Sequence, residues 1–149
     1  MNGAWIHLTF DTQNNPLLAP NGFGTRVLAT VGRTTLTRYV DSGPSFLGTS
    51  EICAHFGLGA AEVIDELRIE WPRGYVTVFE DLPVNQHLVI ESPEPADLDG
   101  DGAVGGGDLG SLLARWGGVA SAFDLKADLN NDHVVDAADL GLMLAAWSE

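Results

Sequence analysis

Near the C-terminal end, acidic and amide side chains recur at a spacing that suits coordination chemistry. The first run is Asp97-Leu-Asp-Gly-Asp-Gly-Ala-Val-Gly-Gly-Gly-Asp108, continuing into Leu-Gly-Ser-Leu-Leu-Ala-Arg-Trp116. The second is Asp128-Leu-Asn-Asn-Asp-His-Val-Val-Asp-Ala-Ala-Asp139, continuing into Leu-Gly-Leu-Met-Leu-Ala-Ala-Trp147 at a constant offset of 31 residues. Self-similarity held over that length marks a duplicated structural unit. A hard cation such as Ca²⁺ takes about six to eight oxygen ligands, and a loop of about 12 residues can wrap them around it from positions 1, 3, 5, 7 and 12.

Both copies supply that pattern. In the first loop the side-chain oxygens are those of Asp97, Asp99, Asp101 and Asp108, and Ala103 offers its main-chain carbonyl. Gly102 makes the sharp turn, and Gly105 at position 9 leaves that place to water. In the second loop Asp128, Asn130, Asp132 and Asp139 are the side-chain ligands, Val134 offers its carbonyl, and Asp136 binds directly or through water. His133 stands where glycine is usual, at about 1 kcal/mol if φ is positive, so the two loops should differ in affinity. Two calcium ions are therefore the expected cofactor. Donor sets made of oxygen apart from His133 disfavour zinc or copper. Without a cation the clustered like charges should keep the module loose or unfolded.

The elements that position these ligands follow from the change in apolar period. After each loop, Leu109, Leu112, Leu113 and Trp116, and likewise Leu140, Met143, Leu144 and Trp147, fall on one helical face. Each helix should start at the last ligand, where a carboxylate suits the macrodipole. A pseudo-twofold pair of helices is expected to bury both tryptophans and the leucines against each other.

Upstream the period is two. Strand-like alternation runs through Trp5 to Phe10, Thr25 to Val31, Thr34 to Val40, Ile52 to Phe56, Glu66 to Trp71, Tyr75 to Glu80 and Gln86 to Glu91. Breakers separate them at Asn21-Gly22, Val31-Gly32-Arg33, Ser42-Gly43-Pro44, Gly57-Leu58-Gly59 and Trp71-Pro72-Arg73-Gly74. The fold class that follows is an all-β, antiparallel sandwich or barrel-like N-terminal domain plus a small α pair of loop-helix repeats. Ser92-Pro93-Glu94-Pro95 reads as a short stiff connector, giving domains 1–92 and 93–149 with repeats 97–116 and 128–147.

Composition narrows the functions. The 149 residues carry 21 acids against 7 bases, a net −14, which excludes electrostatic capture of nucleic acid or anionic lipid. From residue 94 onward there are 11 acids and 2 bases, so that tail holds −9 of the total. No run approaches the length of a membrane span, so no membrane insertion is expected. Met1 to Phe10 lacks a basic start and an apolar signal core, so either the protein is cytosolic or its natural N-terminus is missing.

Candidate catalytic groups in the first half are weak. Cys53 is the sole cysteine, and between Ile52 and Ala54 it reads as a buried core thiol; His55, two residues on, would share its side of a strand. His7 and His87 read as surface or edge residues. Arg26, Arg38 and Arg68 could bind a carboxylate or an acidic sugar, or pair with Asp41, Asp65, Glu66 or Glu70 on their own sheet. The acids Asp65, Glu66 and Glu70 form an exposed-face pattern rather than a glycosidase pair. No enzyme activity is expected. Trp5, Tyr39 and Tyr75 are the aromatic candidates for carbohydrate, each of which could instead be core.

The C-terminal repeat, DLDGDGAVGGGDLGSLLARW and DLNNDHVVDAADLGLMLAAW, closely resembles the type I dockerin over Ala96 to Ser148. Aspartate at position 12 and no helix entering the first loop fit that family. The resemblance implies two calcium ions and a protein partner, a cohesin in cellulosomes, with loop positions 10 and 11 facing it; here these are Gly106-Gly107 and Ala137-Ala138. The first half resembles the ASPIC/UnbV domain through Gly22-Phe23-Gly24-Thr25-Arg26-Val27, Phe56-Gly57-Leu58-Gly59, Leu67-Arg68-Ile69-Glu70-Trp71-Pro72-Arg73-Gly74 and Asn85-Gln86. That likeness implies a secreted, extracellular protein, of which this chain would be an N-terminally incomplete fragment. Together they lead to a non-catalytic, extracellular calcium-binding protein with calcium-dependent attachment to a protein partner. The alternative is a carbohydrate-binding or accessory component of a polysaccharide-degrading system.

Overall fold

The computed structural model describes residues 3–41, 51–118 and 125–148. The expected turn at Ser42-Gly43-Pro44 lies outside them. Seven strands come first: β1 Ala4–Asp11, β2 Arg26–Val31, β3 Thr34–Tyr39, β4 Ala54–Gly59, β5 Val63–Glu70, β6 Val76–Pro83 and β7 Gln86–Glu91. They form a three-stranded sheet in the order β4-β1-β7 and a four-stranded sheet in the order β3-β2-β5-β6. Alternation decides which side each residue takes: Ala4, Ile6, Leu8 and Phe10 of β1 are buried while the residues between them are not. These meet Val27 and Ala29 of β2 and Leu67 and Ile69 of β5 in one apolar cluster, as in a sandwich.

Turn chemistry sets the register of the second sheet. Val31 pairs with Thr34 across Gly32-Arg33, and Gly32 takes φ 60°, as a two-residue hairpin with glycine in first place requires. The Asp65 carboxylate accepts from the Gly32 amide at 2.5 Å, fastening that hairpin to β5. At the far end, the β5–β6 turn Pro72–Gly74 is closed by Trp71 N donating to Tyr75 O at 2.9 Å. Both aromatic flanks are buried, so Tyr75 is a core residue and leaves the list of sugar-binding candidates.

Three expectations for the β part need correction. The first sheet is mixed, because β1 runs parallel to β7, with His7 opposite His87 and Ile90 opposite Phe10. Asn85 starts that ladder, donating its amide to Trp5 O at 2.6 Å while its side-chain oxygen accepts from Trp5 N at 3.1 Å. Secondly, Gly57-Leu58-Gly59 is strand rather than bend: Leu58 points inward, and the glycines occupy the outer face. Thirdly, Cys53 is only partly buried.

Among its described residues the C-terminal part holds two helices, α1 Gly106–Leu113 and α2 Ala137–Ala145. Each begins two residues before the last acid of its loop, not at it, so Asp108 and Asp139 sit in the first turn. Their shared core consists of Leu112 and Met143 with Leu98, Val104, Leu129 and Val135. Trp116 and Trp147 are not in it, being 46% and 37% exposed. Helices of 8 and 9 residues offer one central contact, filled by Leu112 and Met143, and Trp116 falls beyond the end of α1. The duplication persists in the main chain: Gly117 N donates to Val135 O at 2.8 Å, and Ser148 N donates to Val104 O at 3.1 Å. Among the described residues no helix is long and apolar enough to cross a membrane.

The connector is tied down rather than free. Asn14 and Asn15 donate to the Ser92 and Pro93 carbonyls at 2.7 and 2.8 Å, the Tyr75 hydroxyl donates to Pro95 O at 2.8 Å, and Leu17 packs on the second core. Burial pushes the Tyr75 phenol up to about 12. The folded chain thus keeps a proton that the unfolded chain has lost, and stability should fall as pH rises from about 10 towards 12. Tyr75→Phe is expected to flatten that slope in alkaline denaturant titrations, at about 1 kcal/mol of stability near neutrality for the lost hydrogen bond.

Candidate metal centre

The two loops share one hydrogen-bond pattern, and its centre is the last acid. Asp108 Oδ1 accepts from the amides of Leu98 at 2.6 Å and Asp99 at 3.1 Å, and its Oδ2 accepts from Gly105 at 2.7 Å. Asp139 does the same at the 31-residue offset, accepting from Leu129 at 2.7 Å, Asn130 at 3.2 Å and Asp136 at 2.8 Å. The first acid closes the other side of each loop. Asp97 accepts from Gly100 at 2.7 Å and Gly102 at 3.1 Å; Asp128 accepts from Asp132 at 3.2 Å and His133 at 2.9 Å. Position 5 organises position 7: Asp101 accepts from Ala103 N and Asp132 from Val134 N, both at 2.9 Å.

The bends require left-handed backbone at positions 4 and 6. Gly100 and Gly102 take φ 83° and 92°, and Asn131 and His133 take 63° and 73°. Position 6 follows the expectation, whereas position 4 carries a glycine–asparagine match that only the geometry exposes. Gly107 has its own reason: a Cβ there would run into the Asp99 carboxylate. In the second copy Ala138 stands at the equivalent loop position, and Asp136 caps α2 by accepting from Ala138 N at 2.7 Å.

Oxygen atoms of Asp97, Asp99 and Asp108 lie within 4.8 Å of one another. Asp101 stands outside that trio, exposed, and in the second loop Asn130 replaces the carboxylate at position 3, donating to Asp132 at 2.8 Å. Asp97, Asp108, Asp128 and Asp139 are all buried. Burial, and then the fields of Asp108 and Asp101, raise the Asp97 carboxyl above its ordinary range against the pull of two amide hydrogen bonds. Among the described residues the ion pair made to these four acids is that of the exposed His133, 3.8 Å from Asp128. Apart from the His133 imidazole the donors in these loops are oxygens, a set that suits a hard divalent cation better than zinc or copper.

One residue of the β part reaches the second loop. Arg73, held at φ 71° in the β5–β6 turn, donates to Leu125 O at 2.6 Å, Asp128 O at 2.5 Å and Asn131 Oδ1 at 2.8 Å. Sequence reading took Trp71-Pro72-Arg73-Gly74 only as a turn. A basic residue beside a glycine in such a turn was the available signal. Arg26 and Arg68 both pair with Glu70 on their own sheet, at 2.5 and 3.1 Å, while Arg38 lies over the Phe56 ring of the other sheet. Burial would raise the Glu70 carboxyl, but the Arg68 and Arg26 hydrogen bonds outweigh it and hold the group low. Cys53 goes the other way, raised by burial and then by Glu51, which makes it a poor free nucleophile.

A family model described as ASPIC and UnbV matches residues 12–97. No curated protein matches the sequence. Among solved structures, the chain is similar to one from a C-terminal interface mutant of a type II cohesin–X–dockerin complex of Acetivibrio cellulolyticus. The TM-score is 0.52 at 13% identity, covering 99% of this chain and 97% of that one. An N-terminal interface mutant of the type II complex from the same organism gives a TM-score of 0.49 at 15% identity, with the same coverage. At such identity the first likeness speaks for the fold alone.

Replacing Asp108 by alanine strips three amides of their acceptor, two of them buried with it. Each unsatisfied buried donor costs about 1–3 kcal/mol, so Asp108→Ala should unfold the C-terminal part even with calcium in excess while leaving the β part intact. Thermal scans by circular dichroism and tryptophan fluorescence would show that transition lost and the other retained.

Proposed function

The chain belongs to the ASPIC and UnbV family, and from that premise and the duplicated loops we propose a non-catalytic extracellular calcium-binding protein, or part of one, attached through its C-terminal module to a protein partner. The carrying observation is the equivalence of the two networks. Amides converge on the first and last acid of each loop at a 31-residue offset, and in the first loop carboxylate oxygens of Asp97, Asp99 and Asp108 cluster together. In this reading Asp97, Asp99, Asp101, Asp108 and the Ala103 carbonyl hold one ion. Asp128, Asn130, Asp132, Asp139 and the Val134 carbonyl hold the other, with Asp136 alongside. The ions neutralise buried charge and rigidify the helix pair; they supply no reaction step.

Docking is supported by what the helices leave uncovered. Leu113 and Trp116 after the first loop, and Leu142, Leu144 and Trp147 after the second, are all at least 37% exposed. Gly106, Gly107, Ala137 and Ala138 at loop positions 10 and 11 are exposed and small, which admits close approach of another backbone. A cohesin-like partner suits this surface. Because these helices are ordered by their loops, the attachment depends on calcium.

Calorimetric titration of the metal-free full chain is expected to give two calcium ions per chain, with a gain of helical ellipticity. Immobilised cohesins should retain the chain with calcium and release it with chelator. Heat and ellipticity that stay flat through millimolar calcium would overturn the metal assignment. Two-ion binding without retention on any cohesin would remove the cohesin and leave the calcium.

A further inference from the structure

The mixed sheet gathers side chains that lie far apart in the sequence. Since β1 turns Ala4, Ile6, Leu8 and Phe10 inward, Trp5 and His7 face away from the core. The antiparallel register sets His55 opposite His7, and the parallel register sets His87 opposite it on the other side. Three imidazoles therefore form one row across three strands, with ring centres 5.9 Å apart for His7–His55 and 4.7 Å for His7–His87. Trp5 lies one step along, edge-on to His87 at 5.0 Å. The row floors an open depression of about 550 Å³. Just ahead of β4, Glu51 and Cys53 come up to His7, whose Nε2 is 3.6 Å from Glu51 Oε1. Donor atoms of His7, Glu51 and Cys53 lie within 4.8 Å of one another.

Nitrogen, thiolate sulfur and carboxylate oxygen in one cluster form a borderline-soft donor set, unlike the oxygen-only loops. We propose that His7, Glu51 and Cys53 bind a divalent transition metal of the zinc class on the outer face of this sheet, with a fourth position open beside His55 and His87. Zinc bonds of about 2.0–2.3 Å put tetrahedral ligand atoms about 3.3–3.8 Å apart, so the cluster needs to contract by about 1 Å. The Glu51 side chain, 67% exposed, has the freedom to supply that movement, while His7, 15% exposed, is already set in place by its ladder. On binding, the Cys53 thiol releases its proton to solvent and the sulfur takes the metal. The site is separate from the calcium loops and does not rest on them.

The test uses Co²⁺ as a visible substitute for Zn²⁺, added to the full chain with calcium in excess and the thiol kept reduced. Because Cys53 is the sole cysteine, a thiolate-to-cobalt charge-transfer band in the near ultraviolet reports this site and no other. One equivalent of cobalt should produce the band, and zinc should bleach it. Cys53→Ser should abolish it. His7→Gln and Glu51→Gln should each weaken binding by about tenfold or more, whereas Glu80→Gln on the other sheet should leave it unchanged. Glu51 is exposed, so its variant keeps the fold and the comparison stays interpretable. No band with a demonstrably reduced thiol, or a band indifferent to both the His7 and Glu51 variants, overturns the site.

Discussion

Negative charge taken out of water must be met by hydrogen bonds, by a cation or by a proton, and the C-terminal part is arranged around that requirement. The apolar cluster of this part is small, and Asp97, Asp108, Asp128 and Asp139 are buried as well. Their acceptor capacity bends each loop, fixes the left-handed positions and starts each helix. The apolar contribution is modest: Leu112 and Met143 meet at the centre, with two valines and two leucines from the loops around them. A module built this way rests on the hydrogen-bond partners of its acids as well as on its apolar contacts.

The β part answers the opposite problem, since its charges are peripheral and its core cluster is apolar. Arg26 and Arg68 converge on Glu70 at the surface, where such pairs add little. Stability there comes from the sheet-to-sheet cluster of Ile6, Leu8, Phe56, Ile64, Leu67 and Ile69. The two parts touch through a few specific groups, of which Arg73 is the most consequential. Its guanidinium holds carbonyls of Leu125 and Asp128, so the start of the second loop is positioned partly by a turn of the first domain.

Local patterns were legible where a residue's neighbours in sequence decide its environment. Alternation located each strand to within a few residues, and the 31-residue repeat located both loops and the acids that organise them. What escaped reading depends on partners distant in the chain. Alternation says nothing of strand direction, so the parallel β1–β7 pair was hidden. Gly57 and Gly59 looked like breakers, yet both are paired with β1 on the exposed face of a strand. A helical stripe at Leu109, Leu112, Leu113 and Trp116 is wider than a two-turn helix can bury, and tertiary packing chose Leu112. The histidine row was out of reach for the same reason: register alone brings residues 7, 55 and 87 together.

The parallel pairing of β1 with β7 also sets how this domain carries tension. Parallel neighbours present the start of one strand and the finish of the other at opposite ends of the ladder. A pull applied through Ala4 and Glu91 therefore runs along the strands and shears the register from Ile6–Gln86 to Asp11–Glu91 as a whole. It cannot open those pairs one at a time, as it would at the end of a hairpin. A tethered protein with this first sheet would resist drag along its own attachment axis by an unfolding rate, not by an equilibrium stability.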